Sequence, residues 1–401
     1  MPRRRARART RHRDSSMKPR ALCFFCSLTE LDTGMPISTL KLIEHFSGRH
    51  GRDVHAVLPG EGSLAARLRD LHVTVKILPF ARLRSPARPA LFLASLCSTV
   101  AAVPALVRYL RGNGIRLVHF SDVIDMPFYP AARLAGCRAV AHLRVSLERA
   151  PVRVLYRAWT ALFVDRVVCI SEAVRGYYGR QSARASTVYN PGPDPAVFDP
   201  KRRYERHPAL DSGRICVLSI AKFVEVKGHD NFVRLAAGVQ RDLPGRAQFV
   251  ILGNRAPHHE SYYDRVMAMI REHDLERAVS VLQPVPHWEV PGLLAHTGVF
   301  VHVPRWQEGL GGVVLEAMAM EVPVVAFASG GVAECFTSGM SGYLVPHGDI
   351  DSAARRVVEL ISNEERRRAM GRSARGELAR KFSYAGHFAA IERIYAGLFD
   401  G

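Results

Sequence analysis

Glu308-Gly309-Leu310-Gly311-Gly312-Val313-Val314-Leu315-Glu316 combines a glycine cluster with two carboxylates. The stretch follows an apolar run, Val299–Val303, and opens a helical pattern that ends before Pro323. Glycines at a helix start let backbone N–H groups approach an anion, and the helix dipole favours negative charge there. A carboxylate on each side of the turn adds acceptors for hydroxyl groups. Anion cradle and hydroxyl acceptors together describe a site for phosphate attached to a sugar. The same residues also suit a plain glycine turn followed by acids that complement a helix N-terminus.

A second loop, Ala221-Lys222-Phe223-Val224-Glu225-Val226-Lys227-Gly228, leaves the first strand of the chain's second half. The protein has 7 lysines against 49 arginines, and two of the seven lie in this loop. Lysine offers a compact, movable charge suited to a diphosphate; a solvated turn is the alternative. Two other motifs promise less. Cys23 and Cys26 form a CxxC in a strand, where an offset of three points them to opposite faces, and no second pair completes a zinc site. Asp349-Ile350-Asp351 precedes a helix, so Asp349 reads as an N-cap and no metal site is expected. Seven cysteines, an odd number in a large chain, point to a reducing compartment.

The elements that must position these loops alternate in type. Strands are expected at Ala21–Cys26, Asp53–Leu58, Val73–Leu78, Arg116–Phe120, Ala139–Leu143, Arg166–Ile170 and Thr187–Tyr189, with helices at 35–48, 63–71, 90–112, 126–135 and 152–163. Residues 190–212, rich in Pro and charge, read as a linker. Alternation restarts with strands Ile215–Ile220, Gln248–Leu252, Val279–Leu282, Val299–Val303, Val322–Phe327 and Tyr343–Val345. Helices there fall at 229–240, 260–273, 288–295, 312–320, 350–362, 364–380 and 384–399. Such spacing gives α/β domains with parallel sheets. The division is an arm at 1–20, a first Rossmann-like domain at 21–189, the linker, a second Rossmann-like domain at 213–382, and a helix at 383–401 that packs back on the first domain. Ligands of parallel sheets bind at the carboxyl ends of the strands, here across the cleft between the domains.

At this point the motifs resemble a known family. Lys222…Lys227-Gly228, Glu308-Gly309-Leu310-Gly311…Glu316-Ala317-Met318, Pro323-Val324-Val325-Ala326, Gly330-Gly331-Val332-Ala333-Glu334 and Gly342–Asp349 look like the C-terminal domain of retaining GT-B glycosyltransferases, specifically glycosyltransferase family 4. The first half is similar more loosely. Asp32-Thr33-Gly34-Met35-Pro36 sits where the family has a Gly-Gly phosphate loop, so only Gly34 carries over. Tyr189-Asn190-Pro191-Gly192-Pro193-Asp194 resembles the family's hinge, and His142 ends a strand where several members place an active-site histidine. The resemblance implies two Rossmann-like domains facing across a cleft and transfer of a sugar from a UDP- or GDP-sugar donor to a glycan or lipid-linked acceptor, with retention and without a cofactor. It assigns Gly34, Lys222, Lys227, Glu308, Gly309, Leu310, Gly311 and Glu316 to the donor. Glu308, His142 and Lys227 are the catalytic candidates. Two departures stand out: Lys222 replaces an arginine, and Met320-Glu321 replaces a small-Gly pair, putting a carboxylate where it opposes the helix dipole.

Charge and apolar patterning address partners. The formal net charge is +19, and residues 1–200 carry 31 basic against 14 acidic side chains. Removing residues 1–16, as an alternative start at Met17 would, leaves that half strongly basic. Residues 90–107 hold no charge, flanked by Arg88 and Arg108; Pro104 and the Ser/Thr content argue against a membrane span. The expectation is a cytoplasmic protein, without a secretory signal, that meets an anionic membrane surface through its first half. The near-neutral second half and the lack of basic–aromatic interleaving speak against a nucleic-acid partner. A GT-B-fold nucleotide-sugar epimerase, which would turn over donor without an acceptor, is the enzymatic rival.

Overall fold

The computed structural model describes residues 21–31, 34–48, 53–83, 88–255 and 259–399. The expected basic arm, together with Asp32 and Thr33, lies outside these residues. In the first domain the elements run β1 (Leu22–Phe25), α1 (Gly34–Ser47), β2 (Val54–Leu58), α2 (Ser63–Asp70), β3 (Thr74–Ile77) and α3 (Pro89–Gly112). They continue as β4 (Leu117–Phe120), α4 (Tyr129–Ala135), β5 (Arg138–Leu143), α5 (Ala150–Phe163), β6 (Arg166–Cys169), α6 (Glu172–Tyr178) and β7 (Ala185–Thr187). The second domain holds β8 (Ile215–Ile220), α7 (His229–Asp242), β9 (Ala247–Leu252), α8 (Glu260–Glu272), β10 (Val279–Leu282), α9 (Val290–Ala295) and β11 (Thr297–His302). It ends with α10 (Gly312–Ala319), β12 (Val324–Phe327), β13 (Gly342–Val345), α11 (Ile350–Ser362) and α12 (Glu364–Lys381); α13 (Tyr384–Phe399) follows.

Both sheets are parallel, ordered β3-β2-β1-β4-β5-β6-β7 and β10-β9-β8-β11-β12-β13. Short apolar runs such as Leu22–Phe25 are buried along their whole length, because helices cover both faces of a parallel sheet. Alternate residues feed separate cores: Cys23 and Phe25 enter one, and Leu22, Phe24 and Cys26 the other. Cys23 and Cys26 therefore sit on opposite faces as free, buried thiols, and burial pushes the Cys26 thiol up to about 12. The α13 helix crosses back to the first domain. Phe388, Ile391 and Tyr395 join the core of Leu22 and Phe24, and the Tyr395 hydroxyl lies 2.7 Å from His119 Nδ1.

Three local expectations need correction. Residues Val123–Phe128 form a 3-10 turn ahead of α4, because Pro127 and Pro130 deny an α-helix over 126–135 its backbone donors. Helix α6, capped by the Ser171 hydroxyl, had no strong apolar period to announce it. The seventh strand covers Ala185–Thr187 rather than Thr187–Tyr189.

Topology brings the two chemistry-bearing loops together. In each sheet the strand order reverses between the first and fourth strands, and a crevice opens at the carboxyl edge there. In the second domain those strands are β8 and β11. The Lys222–Gly228 loop leaves one and the Arg305–Gly311 loop leaves the other.

Candidate functional site

Lys227 Nζ donates to Glu308 Oε1 at 2.6 Å, joining the two loops by an ion pair. Burial alone would raise the Glu308 carboxyl, but the Lys227 ammonium holds it below the ordinary carboxylate range, so it stays ionised. His302 ends β11 with its Nε2 buried, 4.0 Å from Glu308 Oε1 and without a hydrogen-bond partner. Burial pulls its imidazole down to about 4, so it is neutral at physiological pH. Lys222 stands half-buried at the head of its loop, and its carbonyl accepts from the His229 ring at 3.1 Å.

The glycine turn is held by backbone geometry. Gly311 has φ 82°, a left-handed conformation that admits glycine readily, and caps the start of α10. Gly309 faces the other domain: a Cβ there would lie 2.4 Å from the Arg144 carbonyl oxygen. Leu310 is buried, and its carbonyl accepts from the Cys335 thiol at 3.0 Å. On α10, Glu316 pairs with His287 at 3.0 Å, and this hydrogen bond raises the imidazole's pKa. Lys41, on α1 of the first domain, is a further charge near Glu316; burial lowers its ammonium while Glu316 and Asp194 pull it back up.

Across the cleft the first domain presents its own strand ends. Asp125 accepts from Ser27 and from the backbone N–H groups of Ser121 and Asp122, tying the ends of β1 and β4. Arg144, just past β5, donates to the Ser121 carbonyl at 2.9 Å and to Asn190 Oδ1 at 3.0 Å, in the segment between the domains. Burial lowers its guanidinium to about 10, so it remains a cation. Gly34 opens α1, exposed and clear of neighbours.

His142, the catalytic candidate in β5, lies inside the first domain. Its ring is fully buried, 3.2 Å from His119 Nε2 and 3.3 Å from Arg144 Nη2, and burial holds its pKa well below the ordinary imidazole value. Its Nε2 has no hydrogen-bond partner. In this conformation His142 supports Arg144 rather than facing the cleft.

Sequence reading missed Arg144, His287, His302 and Lys41. Arg144 leaves a weak signal, a charge directly after an apolar strand. The others come from distant points in the chain and gain meaning only from their neighbours. Among the described residues no group of three or more His, Cys, Asp or Glu side chains is placed to hold a metal ion. Asp349 caps α11, accepting from the Ser352 backbone and hydroxyl.

Residues 200–377 match the family described as glycosyl transferases group 1. The D-inositol 3-phosphate glycosyltransferase of Corynebacterium aurimucosum is 27% identical over 286 residues, 69% of this chain and 67% of that protein. The GDP-mannose-dependent alpha-(1-6)-phosphatidylinositol monomannoside mannosyltransferase of Mycolicibacterium smegmatis is 28% identical over 291 residues, 67% of this chain and 73% of its own. The crystal structure of Anabaena HepE in complex with UDP and glucose superposes with a TM-score of 0.78 at 17% identity, covering 94% of this chain and 99% of that one.

Proposed function

From the premise that this chain is a glycosyltransferase of the GT-B type whose residues 200–377 belong to the glycosyl transferases group 1, we propose that it moves a sugar from a nucleoside-diphosphate sugar to an acceptor hydroxyl with retention of configuration. One observation carries this reading: the Lys227–Glu308 pair stands beside the glycine turn that opens α10, at the reversal point of the sheet and against the opposing domain.

In this reading Lys227 and Lys222 neutralise the departing diphosphate, assisted by backbone N–H groups of the Gly309–Gly312 turn. Glu316 accepts from the ribose hydroxyls and Glu308 from the sugar hydroxyls. No metal is required for that charge balance. The bond from the anomeric carbon to the diphosphate oxygen breaks, and the acceptor oxygen bonds to the same face of that carbon. The acceptor's proton passes to the leaving phosphate. A retaining enzyme with a covalent intermediate needs a carboxylate beside the anomeric carbon. Glu308 is already committed to Lys227, which favours the front-face path. His142 then serves as a positioning residue for Arg144.

The acceptor belongs to the first domain's strand ends, and a glycan or a lipid-linked glycan is the class proposed. A relative named for phosphatidylinositol monomannoside supports an amphiphilic acceptor. A UDP- or GDP-sugar is the donor class proposed: the Anabaena structure holds UDP, and the mycobacterial relative is named as GDP-mannose-dependent. A panel of UDP-, GDP- and ADP-sugars, scored by protection against thermal unfolding, tests the reading without an acceptor. Protection by one base series supports it; no protection by any of them overturns it.

A further inference from the structure

Helix α3 is amphipathic the wrong way round over its first half. The side chains turned inward there are Ser95 and Thr99, which satisfy their hydroxyls on the helix's own carbonyls of Phe92 and Ser95. Those turned outward are Leu91, Leu93, Leu96 and Val100, with Leu93 and Val100 more than half exposed. The helix is long and apolar enough to cross a bilayer by length and composition, yet only 22% of its most apolar 18-residue window is buried. A helix that packs only on its own domain puts its apolar stripe inward. This one leaves that stripe bare.

The neighbouring helices extend the surface. Contacts run from α3 to α4 and from α4 to α5, so the three share one face of the first sheet. Helix α5 leaves Val152, Val154 and Leu155 exposed. No acidic residue occurs in α3, α4 or α5; the exposed Arg88 and Arg149 cap the starts of α3 and α5, and Arg153 and Arg157 follow in α5, with Glu148 the acid next to Arg149. In a parallel sheet each following helix starts at the carboxyl edge of the strands. The exposed leucines and valines at the starts of α3 and α5 therefore stand at the same edge as the cleft.

We propose that the outer face of α3 and α5 is an interfacial docking surface for an anionic lipid bilayer, with the apolar side chains entering the acyl boundary and the arginines meeting lipid phosphates. Charge complementarity selects this occupant: an apolar patch flanked by Arg88, Arg149, Arg153 and Arg157, against the one carboxylate of Glu148 beside Arg149, matches a bilayer with anionic headgroups. The helix lies on the bilayer rather than crossing it, because its inner stripe of Ala102, Leu106 and Leu110 is packed into the domain core. Docking here would hold the cleft edge at the membrane, where a lipid-linked hydroxyl is presented. The surface stands independently of the transfer chemistry.

The protein supplies its own probe. Of seven cysteines only Cys97 is exposed, and it lies on this outer stripe between Leu96 and Val100. The full chain, labelled at Cys97 with an environment-sensitive fluorophore, is mixed with vesicles of phosphatidylglycerol and phosphatidylethanolamine. A blue shift at low salt, lost at high salt and absent with phosphatidylcholine alone, is expected. Sedimentation of the unlabelled protein should follow it. The double variant Leu93→Glu/Val100→Glu, altered only at exposed positions, should lower vesicle partitioning at least about tenfold and leave nucleotide protection unchanged. No shift, or equal partitioning of the variant, overturns the proposal. A shift without vesicles that grows with protein concentration overturns it in favour of a second copy covering the face. Resistance to alkaline carbonate extraction from native membranes overturns the interfacial geometry in favour of a span.

Discussion

Replacing Lys227 with alanine separates two roles of one ammonium group. If Lys227 meets the donor's phosphates, the diphosphate must lose more affinity than the matching nucleoside. A hydrogen bond to a charged group is worth ~1.5–3 kcal/mol, roughly 12- to 160-fold in affinity. Lys227 is already paired with Glu308 at 2.6 Å, so binding redirects a partnered cation rather than a bare one. The low end, about tenfold, is the expected loss for the diphosphate, with the nucleoside changed less than about twofold. Stability should also fall. Removing one partner of a fully buried pair costs ~3–5 kcal/mol. Here the side chains are 31% and 19% exposed, and screening brings the expectation to about 1–2 kcal/mol. The pH dependence should invert. In the native protein the depressed Glu308 carboxyl contributes stability above its unfolded pKa, lost as pH falls through the folded value. Without Lys227, burial dominates and raises that carboxyl, so the variant's deficit should shrink from pH 7 toward pH 5. Calorimetric titration with both ligands, and unfolding at both pH values, measure these effects. The double variant Lys227→Ala/Glu308→Gln should regain stability without regaining diphosphate affinity. Equal losses for nucleoside and diphosphate, or affinity restored in the double variant, would refute the phosphate role.

Glu308→Gln should leave nucleotide affinity within about twofold and slow transfer at least about tenfold, roughly 1.4 kcal/mol of barrier; unchanged turnover removes Glu308 from the sugar site. Donor affinity should rise a few-fold between pH 6 and 8, because the raised His287 imidazolium competes with ribose for Glu316 and is lost as pH climbs through its folded pKa. His287→Ala should flatten that dependence in the same titration. Transfer should survive EDTA, and loss on chelation restored by Mg²⁺ or Mn²⁺ would contradict neutralisation of the diphosphate by Lys222 and Lys227 alone. Glu321→Gly should raise stability by about 0.5–1 kcal/mol in thermal unfolding, because Glu321 holds φ 58° immediately past the end of α10, where glycine is unstrained.

Glu321 also shows what sequence order can and cannot carry. As a sequence feature it is a carboxylate at the wrong end of a helix. The structure makes it a backbone position: the left-handed turn lets the Val322 N–H reach the Ala317 carbonyl at 3.0 Å, and the chain then enters β12. The Glu308–Glu316 stretch was legible because glycines and acids at fixed spacing over one turn are a local pattern. Lys227 was legible because lysine is scarce in this chain. His287 and Lys41 were not: one precedes α9 and the other lies in α1, and only the fold brings them to Glu316. Residues 90–112 announced a helix correctly, yet which of its faces is bare depends on what α3 packs against. Composition alone holds no such information.

The Gly330–Glu334 turn explains why donor loop and domain closure belong to one arrangement. Its Gly331 N–H donates to the Glu308 carbonyl at 2.9 Å, and its Gly330 N–H bonds to the Gln307 side chain, so it fixes the backbone that carries the proposed sugar-binding carboxylate. Four residues on, Glu334 accepts from the Glu172 and Ala173 N–H groups at the start of α6, and from the Tyr189 hydroxyl at 2.8 Å. Those donors belong to the opposite domain and to the segment leaving it. A movement that parts the domains must break these charge-assisted bonds, and with them the approach of Gly309 to the Arg144 carbonyl. The same five residues thus hold Glu308 in place and bind the facing domain. The position of the carboxylate is coupled to closure by short covalent geometry, with no long-range signal needed.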